Sequence, residues 1–350
     1  MGSPDVIIAG AGIIGISLAL ELRTRGADVL VLDRAQPGSE ASSAAAGMLA
    51  ASDPETPVAL RRLALESARL FPEFVSSIES ASGISTDFRR PGTIAVGEHL
   101  GEVENHRTLS AEELKHMEPA LAVREGKAFF VSEDSIDPAL LMKAALQAAA
   151  QAGIEIRGGV NVLKLQSSSG NVEVLTRSER FAAKAAVNCC GAWAGAPVKP
   201  RKGQMLYLAP ERSRLLQHVV RTPEVYVVPR SSGQILVGAT VEDTGFDKTV
   251  DSSTIRGLHG AAARYIPNLA AAPISDSWAG LRPGTPDDLP ILGELEDERV
   301  FVASGHFRNG ILLAPITARI MADLLLLGKS GNDISAFSPR RFTLTNAIQQ

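Results

Sequence analysis

The sequence predicts an α/β fold in which a dinucleotide-binding lobe is interleaved with an antiparallel sheet. The lobe is predicted by a glycine-rich turn, Gly10 to Gly15, that follows the apolar run Val6–Ala9 and opens a helical apolar pattern over Ile13 to Arg25. The sheet is predicted by short apolar runs, such as Val225 to Pro229 and Ile235 to Gly238, that are bounded by turn residues. Together these patterns indicate a nucleotide-binding lobe whose ligand is roofed by a sheet.

The spacing of three glycines fits a dinucleotide-binding turn. Gly10 permits the tight turn, Gly12 lets the backbone approach a pyrophosphate, and Gly15 lets the helix pack closely on the strand. The free N–H groups of the helix end also attract the anionic pyrophosphate. The next apolar strand, Asp28–Leu32, ends at Asp33, where a ribose-binding acid is expected. The structural alternatives are a coincidental glycine turn and a plain strand-end cap at Asp33.

Length and composition bound the class of protein. The 350 residues suffice for two domains, and the net charge of −4 argues against nucleic-acid binding, which needs a basic surface. The two cysteines, Cys189 and Cys190, are adjacent, so a disulfide framework and a zinc site are both excluded. No basic region precedes the first apolar stretch and no uncharged apolar run reaches about 18 residues. We therefore expect no signal peptide, no membrane span and a cytoplasmic location.

Further patterns predict the order of elements along the chain. A helix is predicted over residues 56–82, and Asp137 followed by Pro138 is typical of a capped helix start. The run from Ile154 to Leu175 alternates like a hairpin around a turn at Ser167 to Gly170. An amphipathic helix is predicted from Pro315 to Leu327.

These patterns predict two discontinuous domains. Residues 1–85, 138–203 and 275–345 are assigned to the nucleotide-binding domain, and residues 86–137 and 204–274 to the substrate-binding domain. The dinucleotide-type segments lie at both ends and in the middle of the chain, with β-rich insertions between them.

Two segments favour a flat redox ligand. The small residues from Pro37 to Ala51 let backbone lie against a ring system, although they also fit the start of an alanine-rich helix. Gly305 to Gly310 follow a buried strand and precede an apolar helix, which directs a second helix N-terminus at the ligand. With Arg308 beside it, this end would stabilise the negative charge of a reduced flavin, whereas a nicotinamide gains no such charge. The alternative is a surface turn.

Four motifs carry a family resemblance: Gly10–Gly15, Ser43–Leu49, Trp278–Thr285 and Gly305–Pro315. Over nearly its whole length the chain resembles the glycine oxidase branch of the D-amino acid oxidase family of FAD-dependent oxidoreductases. The resemblance implies an FAD-binding Rossmann-like domain of the glutathione-reductase type with an interleaved antiparallel-sheet substrate domain.

The resemblance also implies a substrate site. Arg282 matches the arginine that pairs with the substrate carboxylate, for which its planar fork is suited. Tyr226 matches the tyrosine that reaches the same group, Met48 a residue that touches substrate, and Arg308 the arginine beside the flavin ring. The structural alternatives are an ion-pair role for Arg282, a half-buried sheet aromatic at Tyr226 and core filling by Met48.

A larger set of residues is expected against FAD. These residues are Gly10, Gly12, Ile13, Ile14, Gly15, Asp33, Arg34, Ser42, Ser43, Ala46, Gly47, Met48, Val162, Cys190, Gly191, Trp193, His306, Phe307, Arg308, Asn309, Gly310, Ile311 and Leu312. No cysteine lies near the closing loop, so FAD is expected to be bound non-covalently.

The reaction implied is oxidative deamination of a small amino acid, either glycine, sarcosine or a small D-amino acid. Hydride passes from the substrate Cα to flavin N5, and the products are a 2-oxo acid, ammonia and hydrogen peroxide, with O2 as electron acceptor. This chemistry depends on orientation, so no acid or base side chain and no metal is expected. Glu224 and Val241 depart from the family pattern, which leaves the preferred amino acid open.

Other functions stay open at this point. One is a dehydrogenase that passes electrons from a D-amino acid or N-methyl amino acid to a carrier. A remote one is a non-catalytic flavin-binding or RNA-modifying module. The resemblance suggests a role in thiamine biosynthesis, with catabolic or secondary-metabolite roles equally compatible, and it makes a homo-oligomer an open expectation.

Overall fold

The structure is a computed structural model that describes residues 3–99, 106–123, 125–168, 170–212, 214–342 and 348–349. The strands are β1 (Val6–Ala9), β2 (Val29–Leu32), β3 (Met48–Leu49), β4 (Thr93–Gly97), β5 (His106–Leu109), β6 (Lys127–Val131), β7 (Asp134–Ser135), β8 (Glu155–Arg157), β9 (Val162–Ser168), β10 (Asn171–Thr176), β11 (Arg180–Ala183), β12 (Ala185–Asn188), β13 (Lys199–Leu208), β14 (Val219–Arg221), β15 (Tyr226–Pro229), β16 (Ile235–Gly238), β17 (Ile274–Gly284), β18 (Ile291–Glu294) and β19 (Val300–Ser304). The α-helices are α1 (Ile13–Thr24), α2 (Val58–Ser82), α3 (Ala111–Met117), α4 (Pro138–Gln151), α5 (Ser252–Tyr265) and α6 (Gly310–Leu327).

The nucleotide-binding lobe is built on a mainly parallel sheet with the strand order β18-β19-β12-β1-β2-β8, in which β18 alone pairs antiparallel within the described residues. Strands β1 and β2 are buried throughout, as expected for a parallel sheet covered on both faces. Ile8 and Val31 belong to the core that includes α1, α2, α4 and α6, whereas Ile7 and Leu30 pack against the small sheet β11-β10-β9. This layering confirms the predicted α/β fold class.

A second sheet, ordered β17-β13-β16-β15-β14-β4-β6-β5, faces the first across a cavity. Its longest pairing joins β13 to β17 in antiparallel register, from Lys199 opposite Gly284 to Leu208 opposite Ile274. The sheet departs from the expected antiparallel pattern at β14 and β4, which pair in parallel. Parallel pairing needs a long connection, and these two strands come from separate chain segments.

The division into two domains stays a prediction. The boundary between residues 203 and 204 falls inside β13, and the boundary between 274 and 275 falls after the first residue of β17. The sheet therefore extends on both sides of these boundaries. Residues 343–345, at the end of the last predicted segment, lie outside the described residues.

The local predictions fared unequally. The predicted cap is confirmed, since the Asp137 carboxylate accepts the backbone N–H groups of Ala139 at 2.9 Å and Leu140 at 3.2 Å. The hairpin predicted around Ser167 to Gly170 is confirmed by the antiparallel pairing of β9 with β10. Its first strand begins at Val162 rather than Ile154, because residues 155–157 form β8, which pairs in parallel with β2. Alternation specifies a strand but not its partner. Ser169, in the predicted turn, lies outside the described residues.

The closing helix also differs from the prediction. Helix α6 begins at Gly310, so Pro315 lies inside it rather than before it. In the described part of the chain, one helical stretch, Phe307–Leu327, is long and apolar enough to cross a membrane by length and composition, with a mean hydropathy of 1.8. In the most apolar part of this stretch 61% is buried, and the helix packs against α1 and α2, as the core helix of a folded domain does.

Candidate functional site

A cavity of about 950 Å³ lies between the ends of the parallel strands and the second sheet. The predicted site residues that line it are Gly10, Gly12, Ile13, Ile14, Asp33, Arg34, Ser42, Ala46, Gly47, Met48, Val162, Cys190, Gly191, Trp193, Tyr226, Arg282, His306, Phe307, Arg308, Asn309, Gly310 and Ile311. Residues from distant parts of the sequence are therefore brought to one cavity.

Three predicted cofactor residues lie behind this wall instead. A Cβ at Gly15 would run into the Gly10 carbonyl oxygen, so Gly15 allows α1 to pack on the turn. The Ser43 hydroxyl donates to the Gly38 carbonyl at 2.6 Å. The Leu312 carbonyl accepts the Ser67 hydroxyl at 2.6 Å. These residues support the lining rather than form it.

The end of the cavity near β1 and β2 contains a tight glycine turn and a fixed carboxylate. Gly10 adopts a φ of +107°, and a Cβ there would collide with the Cys189 carbonyl. The Asp33 carboxylate accepts the N–H groups of Ala11 at 2.7 Å and Ala35 at 2.9 Å, which fixes its position. Burial raises the pKa of Asp33, and these hydrogen bonds act against the rise. An oriented acid thus lies beside the N-terminus of α1.

A second helix N-terminus borders the same cavity. Gly310 and Ile311, the first residues of α6, are part of the lining. His306, directly before them, is buried and its Nε2 lies 3.1 Å from the Thr317 hydroxyl. Burial lowers the pKa of His306 to about 3, so its ring is neutral at physiological pH. Two helix ends therefore present positive partial charge to the cavity, which suits an anionic ligand.

At the opposite end, Arg282 projects from β17. Its guanidinium donates to the Thr240 carbonyl at 3.0 Å, and a Cβ at Gly203 would collide with it, so the glycine makes room for this side chain. No carboxylate among the described residues forms an ion pair with Arg282. A half-buried cation without a protein anion beside it suits an anionic ligand.

Tyr226, on β15, lies next to this guanidinium. Its hydroxyl is 3.5 Å from the Met205 sulfur. Burial raises the pKa of Tyr226, while the nearby charge and hydrogen bond of Arg282 oppose the rise. The hydroxyl therefore stays protonated at neutral pH and is available as a donor.

The two other cationic groups on this side have acidic partners. Arg308, predicted beside a flavin ring, forms an ion pair with Glu55 at the cavity rim. Arg221 Nη1 lies 3.0 Å from Asp53, and its Nη2 lies 3.2 Å from the buried Glu133. Burial raises the pKa of Glu133, and Arg221 acts against that rise.

The sequence did not reveal the ion pairs that these two arginines form. Asp53, Glu55 and Arg221 line the cavity, but their partners are far away in the chain and no motif connects them. The available signal was a charged residue, Arg221, directly after the apolar pair of β14. Its position alone does not identify a partner.

A family model described as FAD dependent oxidoreductase (DAO) matches residues 5–324. The chain belongs to this family. It is 36% identical over 360 residues to the bifunctional protein ThiO/ThiG of Trichormus variabilis, a match that covers 97% of this chain and 55% of that protein. The chain thus spans about half the length of such bifunctional relatives.

Full-length similarity is seen with a second relative. The glycine oxidase of Geobacillus kaustophilus is 34% identical over 364 residues, covering 96% of this chain and 97% of that protein. The crystal structure of glycine oxidase from Geobacillus kaustophilus matches with a TM-score of 0.93 at 33% identity, covering 98% of this chain and 100% of that one. Within the FAD dependent oxidoreductase family, the chain is thus similar over nearly its whole length to glycine oxidase.

The cavity fits FAD on its own chemistry. Glycines at positions 10 and 12 open the turn before α1, where backbone N–H groups and the helix dipole suit a pyrophosphate. Asp33 offers carboxylate oxygens at the strand end where a ribose is held. The N-terminus of α6 presents positive partial charge to an electron-accepting ring system. The residues present therefore offer groups that fit the pyrophosphate, a ribose and the ring system of FAD.

Proposed function

We propose that the protein oxidises a small amino acid, either glycine, sarcosine or a small D-amino acid, to an imino acid. Water then hydrolyses the imino acid to a 2-oxo acid and ammonia. The observation that supports this function best is Arg282, whose guanidinium faces the cavity without a carboxylate partner among the described residues. A substrate carboxylate would supply the missing negative charge.

The chain's own residues bind and orient the substrate in this proposal. Arg282 pairs with the carboxylate through two parallel hydrogen bonds, and the protonated Tyr226 hydroxyl donates to the same group. Met48 forms part of the wall beside the substrate side chain. Fixing the carboxylate orients the Cα–H bond, and such positioning can account for much of the rate enhancement.

Bound FAD supplies the two-electron acceptor. Two electrons and two protons leave the substrate, from its Cα–H and N–H bonds, and O2 takes up two electrons and two protons to become hydrogen peroxide. Because the substrate Cα loses its hydrogen as a hydride, this oxidation step needs no paired acid and base in the protein. We include in the proposal a role in thiamine biosynthesis, which the similarity to the ThiO/ThiG relative supports.

The test is a substrate comparison on purified holoenzyme. We expect peroxide release with at least one of glycine, sarcosine, D-alanine and D-proline, and a kcat/KM at least about 100-fold lower with methylamine, which is glycine without its carboxylate. Equal turnover of glycine and methylamine would contradict the carboxylate assignment. Anaerobic bleaching of the flavin by an amino acid without reoxidation in air would indicate a dehydrogenase instead.

A further inference from the structure

Residues 242–248, which we call the clasp, follow β16 and extend from the second sheet toward the nucleotide-binding lobe. The base of the clasp is anchored on β13, where Glu242 and Lys202 exchange both backbone hydrogen bonds at 2.9 Å. The Lys202 side chain is buried, and its ammonium lies 3.7 Å from the Glu242 carboxylate and 3.9 Å from that of Asp247. Backbone hydrogen bonds and ion pairs with Lys202 therefore fix the position of the clasp on β13.

Two side chains of the clasp contact the wall of the cofactor cavity. The Phe246 ring stacks on Trp193 with centroids 5.2 Å apart and an interplanar angle of 26°. The Lys248 ammonium lies 3.0 Å from the Glu40 carboxylate. Trp193 and Glu40 both line the cavity, whereas Phe246 and Lys248 do not.

Arg34 connects these two contacts. Its guanidinium carbon lies 3.7 Å from the centre of the Trp193 ring, and the same group pairs with Glu40 at 3.3 Å. Arg34 directly follows Asp33, at the strand end where dinucleotide folds hold a ribose. The clasp thus lies over the wall that faces the nucleotide half of the cavity.

Phe246 is 40% exposed, although a large apolar side chain gains free energy by burial. The fold uses this side chain only against Trp193 among the ring contacts of the described residues. Phe246 packs on Trp193, which lines the cavity, and so stabilises the position of that part of the wall. The same holds for Lys248, whose partner is also a lining residue.

We propose that the clasp is a cofactor-retention element, in which Phe246 and Lys248 are positioning residues for FAD. By holding Trp193, Arg34 and Glu40 before FAD arrives, it lowers the ordering cost of binding. By keeping these lining residues in place while FAD is bound, it also slows dissociation. This inference rests on FAD as the cofactor and does not depend on which substrate is oxidised.

The test compares Phe246→Ala with Phe246→Trp. FAD affinity is measured by flavin fluorescence during reconstitution of apoprotein, and FAD release by dilution of holoenzyme. We expect Phe246→Ala to raise the Kd for FAD about tenfold, mainly through faster release, because a stacked aromatic pair is lost. Phe246→Trp keeps the stack and should stay within about twofold of the wild type. With saturating FAD, kcat and KM for the amino acid should be unchanged in both variants.

Lys248→Met gives an independent readout. Loss of one exposed ion pair should raise the Kd for FAD about twofold, and the difference from wild type should shrink at high salt. Two matched controls lie away from the cavity: Ile274→Ala removes an apolar side chain that is also 40% exposed, and Lys184→Met breaks an exposed pair with Asp5. Both controls should retain wild-type FAD affinity.

A wild-type Kd for FAD in Phe246→Ala, or the same loss in Phe246→Trp as in Phe246→Ala, overturns the proposal. If Phe246→Ala does not fold, Phe246→Leu and Lys248→Met decide, and wild-type FAD affinity in both overturns it. Failure of the amino acid oxidation itself would leave the FAD measurements intact, so the two proposals fail separately.

Discussion

The two ends of the cavity are built in different ways. The nucleotide end is built around backbone features, namely the turn at Gly10, the N-terminus of α1 and the first residues of α6, with side chains such as that of Asp33 beside them. The substrate end consists of side chains from strands of the second sheet, chiefly Arg282 and Tyr226. A backbone site depends on local conformation, whereas a side-chain site depends on which strands become neighbours.

The charges at the substrate end also differ among themselves. Arg221 and Arg308 have acidic partners, whereas Arg282 has none among the described residues. A charge that the protein leaves uncompensated is the one available to a ligand. Substitutions at the nucleotide end should therefore act through backbone conformation, and substitutions at the substrate end through charge.

The largest effect is expected from Gly10→Ala at the nucleotide end. The added Cβ collides with the Cys189 carbonyl at a φ of +107°, so unfolding free energy should fall by on the order of 4 kcal/mol, with loss of bound FAD. Chemical unfolding and the flavin absorbance of the purified protein measure this.

Gly26→Ala is the matched control for Gly10→Ala. Gly26 has a φ of +88° but no heavy atom within 4 Å of an added Cβ. Gly26→Ala should lower the unfolding free energy by about 1 kcal/mol, because only backbone strain is introduced, and the variant should retain FAD. Equal losses in the two variants would show that close approach at the turn does not matter.

A smaller effect, confined to turnover, is expected from Arg282→Ala. Loss of the charge-assisted pair should lower kcat/KM for the preferred amino acid roughly 150-fold, which corresponds to about 3 kcal/mol of lost transition-state stabilisation. The FAD spectrum should be unchanged. Arg282→Lys should recover only part of this, because an ammonium lacks the planar fork. Steady-state peroxide assays measure both.

The amine without a carboxylate serves as the internal control for Arg282. Its weak turnover should be the same in wild type and Arg282→Ala, since the lost interaction is absent in both. An equal loss with both substrates would mean that Arg282 acts through the structure of the site.

The smallest effect concerns pH at the nucleotide end. Burial lowers the pKa of His306 to about 3 from 6.5, so between these values the unfolded chain binds a proton that the native state does not. Unfolding free energy therefore falls as pH drops below 6.5, by about 2 kcal/mol from this group at pH 5. In His306→Gln this contribution should be missing, and urea unfolding at pH 7.5 and pH 5 tests the difference. A pH dependence identical to that of wild type would contradict a buried neutral ring.

The nucleotide end could be predicted from sequence because its signals are contiguous. The turn Gly10 to Gly15 and the acid Asp33 belong to the continuous unit β1–α1–β2, and the segment before α6 directly joins β19 to that helix. Local sterics and helix ends act over a few residues, so spacing alone indicates them. Arg282 and Tyr226 were predicted by resemblance of their motifs, not by any local physical rule.

Only the tertiary structure decided the rest. The ion pairs of Arg221 with Asp53 and Glu133, and the stack of Phe246 on Trp193, join residues that no motif connects. The parallel pairing of β14 with β4 likewise joins two separate segments. The physical reason is that a local pattern determines how a strand or helix forms, whereas charge compensation and stacking depend on packing between elements, which local spacing does not encode.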